Sequence, residues 1–212
     1  MNMNAEHDSP ATVETRLTHE AHRLATSLLV DASPRPSVPH QALARLRDFL
    51  VVNLRHHHDA QDEWLWPHIA AAAPEAKPAL DDLTEEHKHL DITLTRLAYI
   101  DLDSQNHRQA LHEAAVAVRD SVHDHLTHEE PVLFPALREH ITPWQWKKLS
   151  RRVIATAPPA AGHLMIGLLD EVATPAELRS ILANMPPPVK ARLPAIRTQA
   201  ATDLQALRTN NP

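Results

Sequence analysis

Histidines and carboxylates recur in this chain at a constant offset of 68 positions: His19 with His87, His57 with His125, and Asp62 with Glu130. Leu65/Leu133, Trp66/Phe134 and Pro67/Pro135 continue the register. The stretch HHDAQDEWLWP (57–67) is thus a relative of HLTHEEPVLFP (125–135), and each copy follows a histidine 38 residues upstream. Two copies of a helix pair would bring four imidazoles and nearby carboxylates to one interior point, which is how a helical bundle builds a metal site. His57, His87 and His125 are each followed at i+4 by a polar group, Gln61, Asp91 and Glu129 respectively. Residues four apart project from one side of a helix, so each pair presents two donors to the same place. Neutral imidazole with carboxylate suits iron or manganese, and zinc also accepts it. Acids such as Asp62, Glu86 or Glu130 are placed to take the outward imidazole N–H and orient a ring.

The segments carrying these residues are amphipathic. A first helix is expected over residues 11–31, closed by Ser33-Pro34-Arg35-Pro36. A second, from about residue 39, has Leu43, Leu46, Leu50 and Leu54 on one stripe, which continues to His57, Gln61 and Leu65. A third, over 77–100, aligns Leu80, Leu83, His87, Asp91, Leu94 and Ala98. The fourth, over 105–140, aligns Leu111, Ala115, Val118, Val122, His125, Glu129 and Leu133. Short connections favour antiparallel neighbours, hence an all-α, up-down-up-down four-helix bundle over residues 11–141. The candidate ligands lie on the apolar stripes, where an unsatisfied polar group costs on the order of 1–3 kcal/mol. One such histidine is more often a hydrogen-bonded core residue; four on four helices need a common explanation. His7, His40, His56, His89, His107, His112, His123, His128 and His140 are expected mostly on solvated faces or loops.

Composition supports the helical reading. Hydrophobic content of 43% suits a globular chain, while 3% aromatics and two glycines are poor material for strands and hairpins. The absence of Cys excludes disulfides, thiolate metal sites and a Cys nucleophile. A formal charge of −6 argues against nucleic acid as a partner. No apolar run reaches membrane-spanning length and MNMNAEHDSP lacks a signal-peptide core, so a cytoplasmic location is expected.

These motifs resemble the hemerythrin family in its bacterial HHE cation-binding branch, over roughly residues 12–141. THEAHRL (18–24) is similar to the first-helix histidine motif, and HHDAQDEWLWP to the His-x3-Glu helix ending in aromatic-Pro. EEHKHLD (85–91) is similar to the third-helix histidine motif, and HLTHEEPVLFP to the last His/acid helix. The resemblance implies a non-haem di-iron centre that binds O2 or reacts with peroxide or NO. Its ligands, carried over, would be His19, His57, His87, His125 and Glu129. Two positions depart from the pattern. The bridging glutamate of the second helix falls on Gln61, and a second third-helix histidine falls on Asp91. A slipped pair, His58 with Asp62, is also correctly spaced and would serve after a rotation of about 100°. His57 is favoured by the leucine stripe and the repeat. The repeat likewise favours His19 over its neighbour His22.

Pro67, Pro131 and Pro135 fall within or at the ends of predicted helices and should kink or end them. Trp64, Trp66 and Phe134 beside them are expected to plug the bundle. Residues 1–10 read as a flexible tail and 142–212 as a helical extension. Thr142-Pro143 is an N-cap followed by Pro at N1. The apolar stretch HLMIGLLDEV (163–172) is too short to span a membrane, so it should pack on the bundle or at a homodimer contact. No general acid or nucleophile is visible apart from the metal ligands. Any turnover would then be the metal's own, with catalase- or peroxidase-like peroxide removal the expected form. The competing expectation is a helical interaction or regulatory protein whose metal site has degraded at Gln61.

Overall fold

The computed structural model describes residues 9–102, 107–183 and 185–208. Among them no strand occurs, and four long helices form an antiparallel bundle: α1 (Pro10–Ala32), α2 (His40–Ala60), α4 (Lys77–Ala98) and α5 (His107–His140). Each packs on its neighbour in the chain, and α1 closes the ring against α5. Between α2 and α4 lie a five-residue π-helical turn (Gln61–Leu65) and the short helix α3 (Trp66–Ala72). Residues 1–8 of the expected tail, with His7, lie outside the described residues. Ser9 caps α1, its hydroxyl accepting from the Thr12 N–H with Pro10 in the first turn.

The predicted stripes are buried except at Asp91 and Ala98, which are exposed, and His57, which is half-buried, and they divide the interior. On one side of the histidines lies the larger core, including Leu43, Leu46, Leu50, Leu94, Leu111 and Val118. On the other side Leu65, Trp66, Ile69, Leu80, Leu83, Leu133 and Leu137 form a smaller one. Stripe residues along α2, α4 and α5 pass from one core to the other through a single polar layer. Burying that layer costs free energy unless its groups satisfy each other or a ligand.

The prolines behave differently from expectation. α5 continues for 34 residues with Pro131 and Pro135 inside it, so neither ends the helix. Each removes the N–H that would bond a carbonyl one turn back, but packing of Leu133, Ala136 and Leu137 into the smaller core keeps the segment helical. Pro67 sits in the first turn of α3, which continues directly from the π-helical turn, so it too is passed without ending the helix.

The extension forms α6 (Pro143–Thr156), α7 (Gly162–Val172), α8 (Pro175–Ala183) and α9 (Pro187–Arg208). Thr142 and Gln145 make the reciprocal capping box of α6. The apolar α7 packs against α1 and α9, so HLMIGLL is covered within the chain itself: Leu164, Leu168 and Leu169 join the larger core with Leu204 and Leu207 of α9. Gly167 lets α7 and α9 touch, since a Cβ there would fall 2.7 Å from Ala200 Cβ. Among the described residues no helix is long and apolar enough to cross a membrane.

Candidate metal centre

All four bundle helices deliver side chains to the polar layer. Two groups of potential ligand atoms form there, His19/His57/Glu129 and His58/His87/His125, each group lying within 4.8 Å of itself. His57 and His58 are adjacent on α2, about 100° apart around the axis. His57 therefore faces α1, with its ring 5.4 Å from that of His19, and His58 faces α4, stacked 4.2 Å from His87. The sequence offers the two histidines as alternatives; the structure places one in each group. Glu129 lies between the groups, with Oε2 3.5 Å from His19 Nε2 and 3.4 Å from His125 Nε2. Its other oxygen accepts from the Gln61 amide.

The outward nitrogens are held by acids. His87 Nδ1 is 3.0 Å from both oxygens of Asp62, His125 Nδ1 is 2.8 Å from Glu86, and His19 Nδ1 is 3.1 Å from Glu130. Glu130 is held in turn by Arg23 at 2.7 Å. A carboxylate accepts, so each Nδ1 carries a proton and each ring turns its Nε2 inward. Those inward nitrogens converge on one another and on Glu129. His87 Nε2 and His125 Nε2 stand 3.2 Å apart, and His19 Nε2 faces Glu129 Oε2. Buried His19 Nε2, His57 Nε2, Gln61 Oε1 and Glu129 Oε2 have no hydrogen-bond partner. Acceptors crowded around one interior space need positive charge there, and a cation fits this donor set.

Titration behaviour agrees with that demand. Burial holds His57 and His58 well below the usual histidine range, and the surrounding imidazoles push them further down. His22, buried behind them and bonded to Asn53 Oδ1 at 2.8 Å, is lowered by burial to about 4. Burial also acts against the charged form of His125, but Glu129 and Glu86 outweigh it and raise the pKa. Glu129 is opposed by burial yet lowered by His19 and His125. Burial opposes Glu130 too, but its bonds to His19 and Arg23 bring it down to about 2. The carboxylates are thus ionised at neutral pH, while His57 and His58 resist taking a proton and keep their lone pairs.

The family model for the hemerythrin HHE cation-binding domain matches residues 13–137. The chain belongs to this family. Searches of the curated proteins and of the solved structures return no significant match. In this hemerythrin-family bundle the sequence repeat becomes a pseudo-twofold arrangement. Gln61 bonds Glu129 across exactly one repeat of 68 residues, and Asp62 on His87 mirrors Glu130 on His19. Trp66 lies stacked 6.2 Å from His87, as Phe134 does 6.0 Å from His19. These two aromatics close the layer from the smaller core. Trp64 does not; it faces outward under Arg152, whose guanidinium is 4.1 Å from its ring centre.

Asp91 requires a correction. It occupies the i+4 position after His87 but is brought to neither group, its carboxylate being exposed and paired with Arg55 at 2.5 Å. The α4 face that buries His87 continues through Leu90 and Leu94, which turns Asp91 toward solvent beside α2. Asp62 contacts His87 from outside and bonds Thr84. His107, expected on a solvated face, is buried with its ring 4.2 Å from His40. Asn53 escaped notice in the sequence, since one amide on a helix gives no signal until its partner His22 is located.

Proposed function

We propose that this hemerythrin-family chain holds a non-haem di-iron centre that binds or reacts with O2, peroxide or NO. The observation that carries the reading is the convergence of two buried ligand groups whose His19 Nε2, His57 Nε2 and Glu129 Oε2 have no hydrogen-bond partner. His19, His57 and Glu129 would hold one ion, and His58, His87 and His125 the other, with Glu129 between them. A five-histidine, single-carboxylate set favours iron over magnesium or calcium, which take oxygen donors. Iron so held supplies open coordination positions and electrons for a small ligand.

The protein's own residues do the rest. Asp62, Glu86 and Glu130 keep each Nδ1 protonated and fix ring orientation. Gln61 anchors Glu129 and turns a neutral carbonyl oxygen inward, where a carboxylate would add a negative charge. Trp66 and Phe134 exclude water from one side. The reading of a regulatory protein with a degraded site is disfavoured because both ligand groups remain assembled around Gln61.

Anaerobic loading with ferrous iron, elemental analysis and exposure to hydrogen peroxide test the proposal. About two irons per chain, with a near-ultraviolet absorption that changes on peroxide addition, are expected. A folded protein that takes up no iron overturns it.

A further inference from the structure

The pseudo-twofold arrangement breaks at one place. His125 is held from outside by Glu86, which also bonds His128 at 2.9 Å. One repeat earlier, the position of Glu86 is occupied by Thr18, whose hydroxyl is spent on the Glu14 carbonyl. The repeat therefore offers His57 no counterpart of Glu86. Instead a cavity of about 290 Å³ opens there, with Thr18, His57 and Gln61 on its inner wall. Its outer wall comes from the extension: Trp146, Leu149 and Val153 of α6, Met165 and Leu169 of α7, and Ile181 of α8.

Size and chemistry define what fits. A cavity of about 150 Å³ holds benzene, so this one has room for roughly a dozen non-hydrogen atoms, far more than a diatomic ligand needs. Hydrocarbon dominates the lining, which includes no Lys or Arg. Glu14 is the one carboxylate, engaged by Trp146 Nε1 at 2.9 Å and Ser150 Oγ at 3.1 Å. An anionic guest would lose hydration without gaining a counter-charge and would meet Glu14. A polar handle is present on the wall: Asn53 accepts from His22 with its carbonyl, which leaves its amide hydrogens for a guest oxygen.

We propose that the extension and the bundle together form a binding site for a neutral, mostly hydrocarbon molecule with one hydroxyl-type oxygen, seated against His57 and Gln61. Binding itself follows from the cavity; only its placement beside a metal ion rests on the function proposed above. Recognition comes from burial of the chain against α6–α8, and orientation from Asn53 at the inner end.

Calorimetric titration of 1-decanol and of decanoate into the full-length protein, iron-loaded and metal-stripped, tests this. Saturable decanol binding is expected in both forms, with decanoate weaker by at least about tenfold. Glu14→Gln should narrow that gap. Val153→Trp, or Ala157→Trp at the exposed end of α6 if the first does not fold, should weaken decanol by at least about tenfold while iron content stays unchanged. No saturable decanol binding to the folded protein, equal affinity for the carboxylate, or unaltered affinity in a folded, cavity-filled variant would overturn the proposal. Decanol binding in a chain that takes up no iron would leave the cavity site standing and remove the metal reading instead.

Discussion

Gln61→Glu separates what the layer does alone from what it does around cations. In the metal-free chain Gln61 donates to Glu129, so the substitution removes a hydrogen bond to a charged acceptor, about 1.5–3 kcal/mol. It also opposes two buried carboxylates, which at about 4 Å and an effective dielectric near 20 repel by about 4 kcal/mol. Protonating one of them limits the damage: moving a proton from pH 7 onto an ordinary glutamate costs about 3.7 kcal/mol, and the shared proton then restores a bond. The net cost to the metal-free fold is therefore about 4 kcal/mol at neutral pH, or a fall in Tm of about 8–15 °C for a chain this size. It should shrink toward pH 5, where that proton is easier to supply. With cations on either side the sign reverses, because the added charge lies between them. Scanning calorimetry of metal-free and iron-loaded protein, parent and variant, reads all four corners. The loaded variant should match or exceed the loaded parent and bind its second iron more tightly. An unchanged metal-free Tm, or an equal fall in both forms, would refute the placement of Gln61 against Glu129 beside a cation.

Further outcomes follow from the same geometry. His57→Ala and His58→Ala should each lower iron content to about half, because the two rings serve different groups; full retention in either would restore the idea that only one is used. Asp91→Ala should leave iron content unchanged and alter stability by less than about 1 kcal/mol, since it loses only an exposed pair with Arg55; elemental analysis and a denaturant titration check both. Gly167→Ala should destabilise by about 1–3 kcal/mol in urea unfolding, as the new methyl meets Ala200. His22 stays neutral in the folded state down to about 4 against 6.5 in the unfolded chain, so its contribution is complete above pH 6.5 and is lost as pH falls toward 4. His22→Gln should flatten the metal-free stability profile in that window; an unaltered slope would refute the burial of His22.

The four long helices were legible because their apolar spacing is long and regular, and the clustered histidines because they interrupt that spacing at matched places. Three features were not legible. The orientation of Asp91 depends on which side of His87 the α4 stripe continues, and a one-helix projection leaves an i+4 residue near enough to the core edge to look inward. The joint use of His57 and His58 depends on having two groups flank α2, whereas a single-centre picture makes neighbours 100° apart mutually exclusive. The passage of α5 through two prolines depends on tertiary packing around Leu133 and Leu137, which outweighs a local propensity.

The repeat carries more information in its violations than in its matches. Pairs that obey it, Asp62 with Glu130 and Trp66 with Phe134, perform the same task on opposite sides of the layer: one acid on an outward imidazole nitrogen, one aromatic over a ring. Two positions that break it, Gln61 opposite Glu129 and Thr18 opposite Glu86, both belong to the half that faces the extension. Each break removes a negative charge from the side where the cavity opens. Less fixed charge makes that wall easier to desolvate, and a side chain as small as Thr18 leaves room beside His57. The extension then encloses the space, with Trp146 and Ser150 tied to Glu14 and Arg16 bonded to Glu177 of α8. The uncharged Gln61 and Thr18 of the bundle and the helices beyond it thus act together, and one side of the pseudo-symmetric layer is the floor of an apolar chamber.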